Sequence, residues 1–141
     1  MIVQAVCQSF KNELLGGIHD LDTDTLKIAL YTSSASLDAT TTAYAATNEV
    51  SGTGYTAGGA TITAVTITNQ ADTNYTTTLD FNDIAWPAAT FTARGALVYN
   101  SSKANRAIFV LDFGGDKTVS SQTLTIRLPA NAFDTAVLQV K

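Results

Sequence analysis

The sequence is poor in charge. Aspartate, glutamate, lysine and arginine make up 14% of its 141 residues, against roughly a quarter in an ordinary soluble domain. Eight residues are basic, they are scattered along the chain, and the formal net charge is −4. Neutralising a nucleic-acid backbone needs clustered lysine and arginine, and holding an anionic membrane surface needs the same, so neither partner is expected. The single cysteine, Cys7, excludes an intrachain disulfide and a cysteine-based zinc site. Too few residues precede Cys7 for a lipoprotein signal, and it reads as a small buried hydrophobe on a helix. No signal peptide or membrane-spanning run is evident, so synthesis in a cytoplasm is expected. Without a secretion signal, the glycosylation-like triplets Asn74-Tyr75-Thr76 and Asn100-Ser101-Ser102 carry little weight.

Groups for catalysis are equally scarce. The one histidine, His19, lies on a turn beside Asp20. No G-x-S-x-G elbow presents a serine, and a Cys7–His19 pair would require the helix to fold back onto that turn. Asp80, Asp83, Asp112 and Asp116 are carboxylates of the type that cleave glycosides, but Asp80 and Asp112 sit at strand ends, where aspartates commonly shape turns, and few aromatics are at hand to stack on a sugar. Asp20, Asp22 and Asp24 form D-x-D-x-D. A calcium loop would need glycine where Thr25 stands and glutamate where Tyr31 stands. Gly52-Thr53-Gly54-Tyr55-Thr56-Ala57 satisfies a loose G-x-G-x-x-A pattern, but a dinucleotide site also needs a preceding strand and a following helix, and here more glycine and a threonine-rich strand follow. No enzyme, cofactor or metal site is expected.

What the sequence does hold is strand. Threonine clusters at Thr40–Thr42 and Thr76–Thr78, and β-branched, uncharged residues suit half-exposed strands. Leu26–Tyr31 alternates, as do Thr61–Thr68 (with a change of phase at Ala64–Val65), Tyr75–Phe81, Phe91–Tyr99, Arg106–Phe113, Gln122–Leu128 and the short Ala136–Val140. Ile84–Pro87 is expected to turn into the hairpin, with Trp86 as a core or interface anchor, and Phe113–Ser121 is expected to be a loop. One helix is predicted over residues 3–15, where Val3, Val6, Cys7, Phe10 and Leu14 make a stripe that Gly16-Gly17 ends.

The centre of the pattern is Phe91–Asp116. Two strand-like runs flank the polar stretch Asn100–Asn105, which reads as a β-hairpin. Both faces of that hairpin are apolar: Leu97 and Tyr99 on one side, Ala96 and Val98 on the other. A sheet with one wet side alternates more cleanly, so both faces require a cover. The candidates are the helix stripe, a partner chain, and residues 32–61, an extended arm or long loop whose sizeable anchors are Leu37, Tyr44, Val50 and Tyr55. The expected architecture is one domain, 1–141: an all-β, antiparallel, jelly-roll-like β-sandwich with an N-terminal α-helix. Phe10, Leu14, Tyr44 and Tyr55 lie on segments with little local core and are the candidate protein-contact residues.

Several stretches together resemble a family of small virion proteins of tailed bacteriophages. They are Ser9–Gly17 (SFKNELLGG), Lys27–Ser33 (KIALYTS), Thr47–Gly59 (TNEVSGTGYTAGG), Thr92–Asn100 (TARGALVYN) and Val110–Gly114 (VLDFG). The most similar members are capsid cement, or decoration, proteins of short-tailed phages. The resemblance implies a β domain on the outside of the capsid, binding the major capsid protein and stabilising the shell against packaged DNA. It carries over no catalytic residue. Self-association as a homodimer, or else a trimer, suits a symmetric lattice. A tail or baseplate component is the nearest alternative, and a carbohydrate-binding or host-adhesion module is the alternative from a different class.

Overall fold

A computed structural model describes all residues, 1–141. Eight strands and one helix follow in the order β1 (Ala5–Val6), α1 (Gln8–Leu15), β2 (Leu26–Tyr31), β3 (Ala60–Thr61), β4 (Thr66–Asn69), β5 (Thr77–Asp80), β6 (Ile84–Asn100), β7 (Arg106–Ile126) and β8 (Leu138–Val140). They form a five-stranded sheet, β1-β7-β6-β2-β3, and a three-stranded sheet, β4-β5-β8. Every named pairing is antiparallel. The chain is an all-β sandwich with one helix; its eight strands divide five and three. No helix is long and apolar enough to cross a membrane.

The β6–β7 hairpin is the spine. Its turn begins where Asn100 Oδ1 accepts the Ser102 N–H at 3.0 Å, an Asx turn. It closes through Ala104 and Asn105, both in left-handed backbone (φ 54° and 58°). The strands run further than the sequence indicates. Ile84–Trp86, expected to be a turn, pairs with Leu124–Ile126. Pro87, which lacks the N–H a ladder needs, falls where the register shifts between Trp86 and Ala89. Of the expected loop Phe113–Ser121, Lys117, Thr118 and Val119 pair with Ala93, Thr92 and Phe91, while Phe113–Asp116 and Ser120–Ser121 fall at register shifts, and the whole stretch lies within β7. The short-range pattern suggested breaks, but bulges absorb the extra residues and allow one long twisted ribbon.

Both faces of the central strands are covered. Gly95 through Asn100 and Ala107 through Val110 are buried without interruption. Leu26, Ile28 and Leu30 lie opposite Asn100, Val98 and Ala96 and share their face. On that side Asn100 bonds to His19. The His19 ring packs on Phe10 of α1, centroids 5.0 Å apart. Phe10 in turn shares a groove with Leu79 and Leu138 of the smaller sheet. The opposite face carries Tyr31, Gly95, Leu97 and Tyr99, and residues 32–61 lie on it. Tyr44 stacks on Tyr99 at 4.8 Å. Tyr31 donates its hydroxyl to the Ala45 carbonyl at 2.7 Å. The cover for both faces is therefore supplied by the chain itself.

The N-terminal region departs from the expected helix over 3–15. The helix starts at Gln8, and Cys7 caps it in extended backbone (φ −65°, ψ 136°). Ala5 and Val6 pair with Val110 and Phe109, and Val3 N–H bonds the Leu37 carbonyl at 2.8 Å. An extended segment beside β7 satisfies backbone groups that a helix would satisfy internally, and it places Ile2 in the core while Val3 stays exposed. The helical end is as expected: Gly16 N–H bonds Asn12 at 3.0 Å and Gly17 takes φ 73°. The phase change at Ala64–Val65 is also real, since Ala64 has φ 55° and the chain passes there from one sheet to the other.

Candidate functional site

One buried and one half-buried polar cluster hold much of the chemistry-bearing inventory, and in each the side chains bond to one another. The first joins α1 to the hairpin turn. His19 Nε2 lies 2.7 Å from Glu13 Oε2, and Arg106 donates to Glu13 Oε1 at 2.8 Å. Asn100 Nδ2 reaches His19 Nδ1 at 3.0 Å and Asp24 Oδ2 at 2.7 Å. An amide nitrogen can only donate, so His19 Nδ1 is the acceptor and Nε2 carries the hydrogen given to Glu13. Lys103 stands 3.6 Å from Asp24. Burial opposes ionisation of Glu13, but the bonds from His19 and Arg106 outweigh it and hold the carboxyl below its ordinary value. Asp24 is held low in the same way, its burial outweighed by the Asn100 bond, the Asp20 N–H and the nearby Lys103 acting together. Within the D-x-D-x-D stretch, Asp24 thus accepts the Asp20 N–H across the turn and also binds Asn100, and no group of three or more His, Cys, Asp and Glu side chains forms a metal-binding cluster.

The second cluster is a clasp built from the TNEVSGTGYTAGG stretch. Glu49 accepts three hydrogen bonds at 2.7 Å: Tyr44 Oη on one carboxylate oxygen, Tyr55 Oη and Gly58 N–H on the other. The Tyr55 hydroxyl also accepts the Leu30 N–H at 2.9 Å, and Tyr99 donates to the Gly58 carbonyl at 2.7 Å. Burial and then the Glu49 bond push the Tyr44 hydroxyl up to about 12, and Tyr55 is raised for the same two reasons. The glycines allow close approach. A Cβ on Gly59, at φ 77°, would lie 1.8 Å from the Ile28 carbonyl oxygen, and one on Gly52 would lie 2.4 Å from that of Thr90. The G-x-G-x-x-A match is therefore a packing device.

Of the other candidate carboxylates, Asp80 is half-buried at the end of β5 and Asp116 is exposed. Cys7 is fully buried, and burial, then Asp38 and Glu13, push its thiol up to about 11, which suppresses the reactive thiolate. Asp83 binds the Leu128 N–H; Asp112 binds Arg94 and Gly114. Phe10 is turned into the chain's own core, 2% exposed. Leu14, Tyr44 and Tyr55 are half-buried and pack against that core. The structure brings Tyr44 and Tyr55 together on Glu49 and leaves Phe10 and Leu14 together in the groove against the smaller sheet.

That groove has a cavity volume of about 130 Å³ and is lined by Phe10, Leu14, Leu21, Ile67, Leu79 and Val140, among others. Of its lining residues, Ile67 is 51% exposed and Val140 is also exposed; elsewhere on the surface, Leu15 is 91% exposed and Ile18 is exposed as well. Ile67, Leu79 and Leu138 are paired neighbours and share one face. A second hollow, about 310 Å³, lies on the distal ribbon and is lined by Phe113, Lys117, Leu124, Thr125, Ile126 and Arg127. Sequence reasoning missed it because Phe113–Ser121 read as a loop. The visible signal was the alternation of Leu124, Ile126 and Leu128.

Comparison with known proteins finds no match to any family model, curated protein or solved structure.

Proposed function

We propose that the chain is a structural virion protein that binds the outside of a phage capsid and cements neighbouring capsid subunits, working through its surface. The observation that carries this reading is the contrast between interior and exterior. No buried side-chain polar atom lacks a partner, and His19, Glu13, Asp24 and Glu49 are all engaged in holding the fold. Outside, large apolar side chains such as Leu15, Ile67, Val140 and Phe133 stand exposed on a braced scaffold. Ile67 and Val140 line one groove, and a contiguous exposed apolar patch of that kind suits association.

Apolar contact contributes roughly 2.5 kcal/mol per 100 Å² before association costs. A modest contact repeated over many copies on a shell makes local opening rare. The major capsid protein is the proposed partner. The free chain is proposed to be a homodimer, with a trimer as the alternative.

Cryo-electron microscopy of a tailed-phage particle carrying this chain tests the assignment. Density over the seams between capsid subunits is the expected result. Density confined to the tail would replace it with the tail or baseplate reading, and absence from the particle would reject both. The polar hollow beside α1, lined by Gln8, Lys11, Asn12, Glu13 and Thr42, has the hydrogen-bonding groups of a sugar site but no aromatic ring for stacking. Glycan-array binding by the isolated protein would favour the adhesion reading.

A further inference from the structure

The slot on the distal ribbon has two features that together define a ligand. The first is an open sheet edge. β1 pairs with β7 only at Phe109 and Val110, and no strand or isolated bridge continues along that side of β7 beyond them. From Lys117 to Ile126, β7 has β6 on one side only. In an antiparallel pair, alternate residues bond to the partner strand, so the others present N–H and C=O groups outward. The second feature is the lining. Phe113, thrown out of the ladder by the bulge, joins Leu124 and Ile126 around the hollow, and all three are half-buried. Lys117 and Arg127 flank it, and both are exposed. Neither takes part in a salt bridge, whereas Arg94, Lys103 and Arg106 each do. Two cations without a salt bridge thus border one apolar hollow on a chain of net charge −4. Asp116, beside Lys117 in the chain, and Asp83, bonded to the N–H of Leu128 next to Arg127, form no ion pair with either.

We propose that this slot receives an extended segment of a partner protein. The segment adds along the free edge of β7, places an apolar side chain between Phe113, Leu124 and Ile126, and sets carboxylates against Lys117 and Arg127. Strand addition derives affinity from main-chain hydrogen bonds and specificity from pockets for alternate side chains; here the charge pair selects acidic flanks. The inference does not depend on which particle or assembly the chain joins. The competing role for the two cations is to keep the edge free, since charged side chains on an edge strand discourage pairing.

Three fluorescein-labelled peptides applied to the full chain separate these roles. One has a Val-Leu-Val centre with aspartates on both sides, one replaces the aspartates with lysines, and one replaces the centre with serines. The acidic apolar peptide should bind, and the other two at least about tenfold more weakly. Binding should weaken as salt is raised. The double variant Lys117→Glu, Arg127→Glu changes exposed side chains only, so its thermal melt should match the parent, and it should lose at least about tenfold in affinity for the acidic peptide while gaining affinity for the lysine peptide. A second variant, Leu124→Thr, places a β-branched residue that suits a strand and should weaken the acidic apolar peptide while leaving the weak binding of the serine-centred peptide unchanged. Equal binding of acidic and lysine peptides, unchanged binding by the double variant, or no binding by any peptide would overturn the proposal; the last result would assign Lys117 and Arg127 to guarding the edge.

Discussion

Glu49 is the residue whose loss should be felt most specifically. Replacing it with alanine removes the acceptor for Tyr44, Tyr55 and Gly58, each at 2.7 Å. A donor left without a partner in a partly buried site costs about 1–3 kcal/mol. Three such donors would sum to more, but Tyr44 and Tyr55 are half-buried and water can reach them in part. A net cost of about 3–5 kcal/mol follows, a large fraction of the roughly 5–15 kcal/mol that stabilises a typical domain. Glu49→Gln should cost less, about 1–2 kcal/mol, because the amide keeps one acceptor oxygen and its nitrogen can donate to the Tyr44 hydroxyl. Urea unfolding at neutral pH measures both. Limited proteolysis should then show new cleavage within 44–59 in Glu49→Ala, because the clasp ties that segment to β2 and β6 through Tyr55, Gly58 and Tyr99. A double-mutant cycle with Tyr55→Phe should give a coupling of about 1–3 kcal/mol. An unchanged urea midpoint in Glu49→Ala, or destabilisation with no increase in cleavage of the arm, would refute the clasp.

The remaining expectations are of different kinds. Phe10→Ala should cost about 3–5 kcal/mol in urea unfolding, because Phe10 is 2% exposed. Leu15→Asp should leave stability within about 0.5 kcal/mol and, on the proposed function, lower capsid binding in a sedimentation assay. Gly59→Ala should destabilise far more than Gly17→Ala: both glycines have positive φ, but a Cβ at Gly59 meets the Ile28 backbone while one at Gly17 meets nothing within 4 Å. Thermal melts of the two variants compare them directly. On the alkaline side, Tyr44 is raised from 10.0 to about 12 in the fold. A folded value above the unfolded one means its contribution is complete below pH 10 and lost as pH rises through about 12. Tyrosinate absorbance should therefore rise together with loss of near-ultraviolet circular dichroism over that window; early titration of Tyr44 in an intact fold would contradict it.

Legibility in the sequence followed how local the governing interactions are. Leu26–Tyr31 alternates cleanly, and β2 has those same limits. The hairpin turn was visible because Asn100–Asn105 is rich in turn formers between two apolar runs. Burial on both faces was also readable, since Ala96, Leu97, Val98 and Tyr99 leave no polar side. What failed were readings in which two periodicities competed. Val3, Val6, Cys7 and Phe10 fit helical spacing, but Ile2 through Val6 run extended against Leu37 and β7, and only the availability of that edge decides it. Phe113–Ser121 has the glycines of a loop, yet most of it is strand, because a bulge lets the ribbon continue past Gly114-Gly115.

Of the candidate contact residues, Tyr44 and Tyr55 were singled out because nothing nearby in sequence buries them. Their partner, Glu49, was already inside a quoted motif, but a carboxylate in a loop gives no sign of which hydroxyls will reach it. The same is true of His19 and Asn100, far apart in the chain and 3.0 Å apart in the fold. Composition and pattern alone determined that this chain is an all-β sandwich with a helix and a two-sided central hairpin, because threonine-rich alternation and glycine punctuation act over a few residues. Tertiary structure alone decided that the arm and the helix cover that hairpin from within, and that Lys117, Arg127 and Phe113 meet at one slot. Those arrangements depend on which surfaces remain to be buried once the strands have paired, and that is a property of the whole chain.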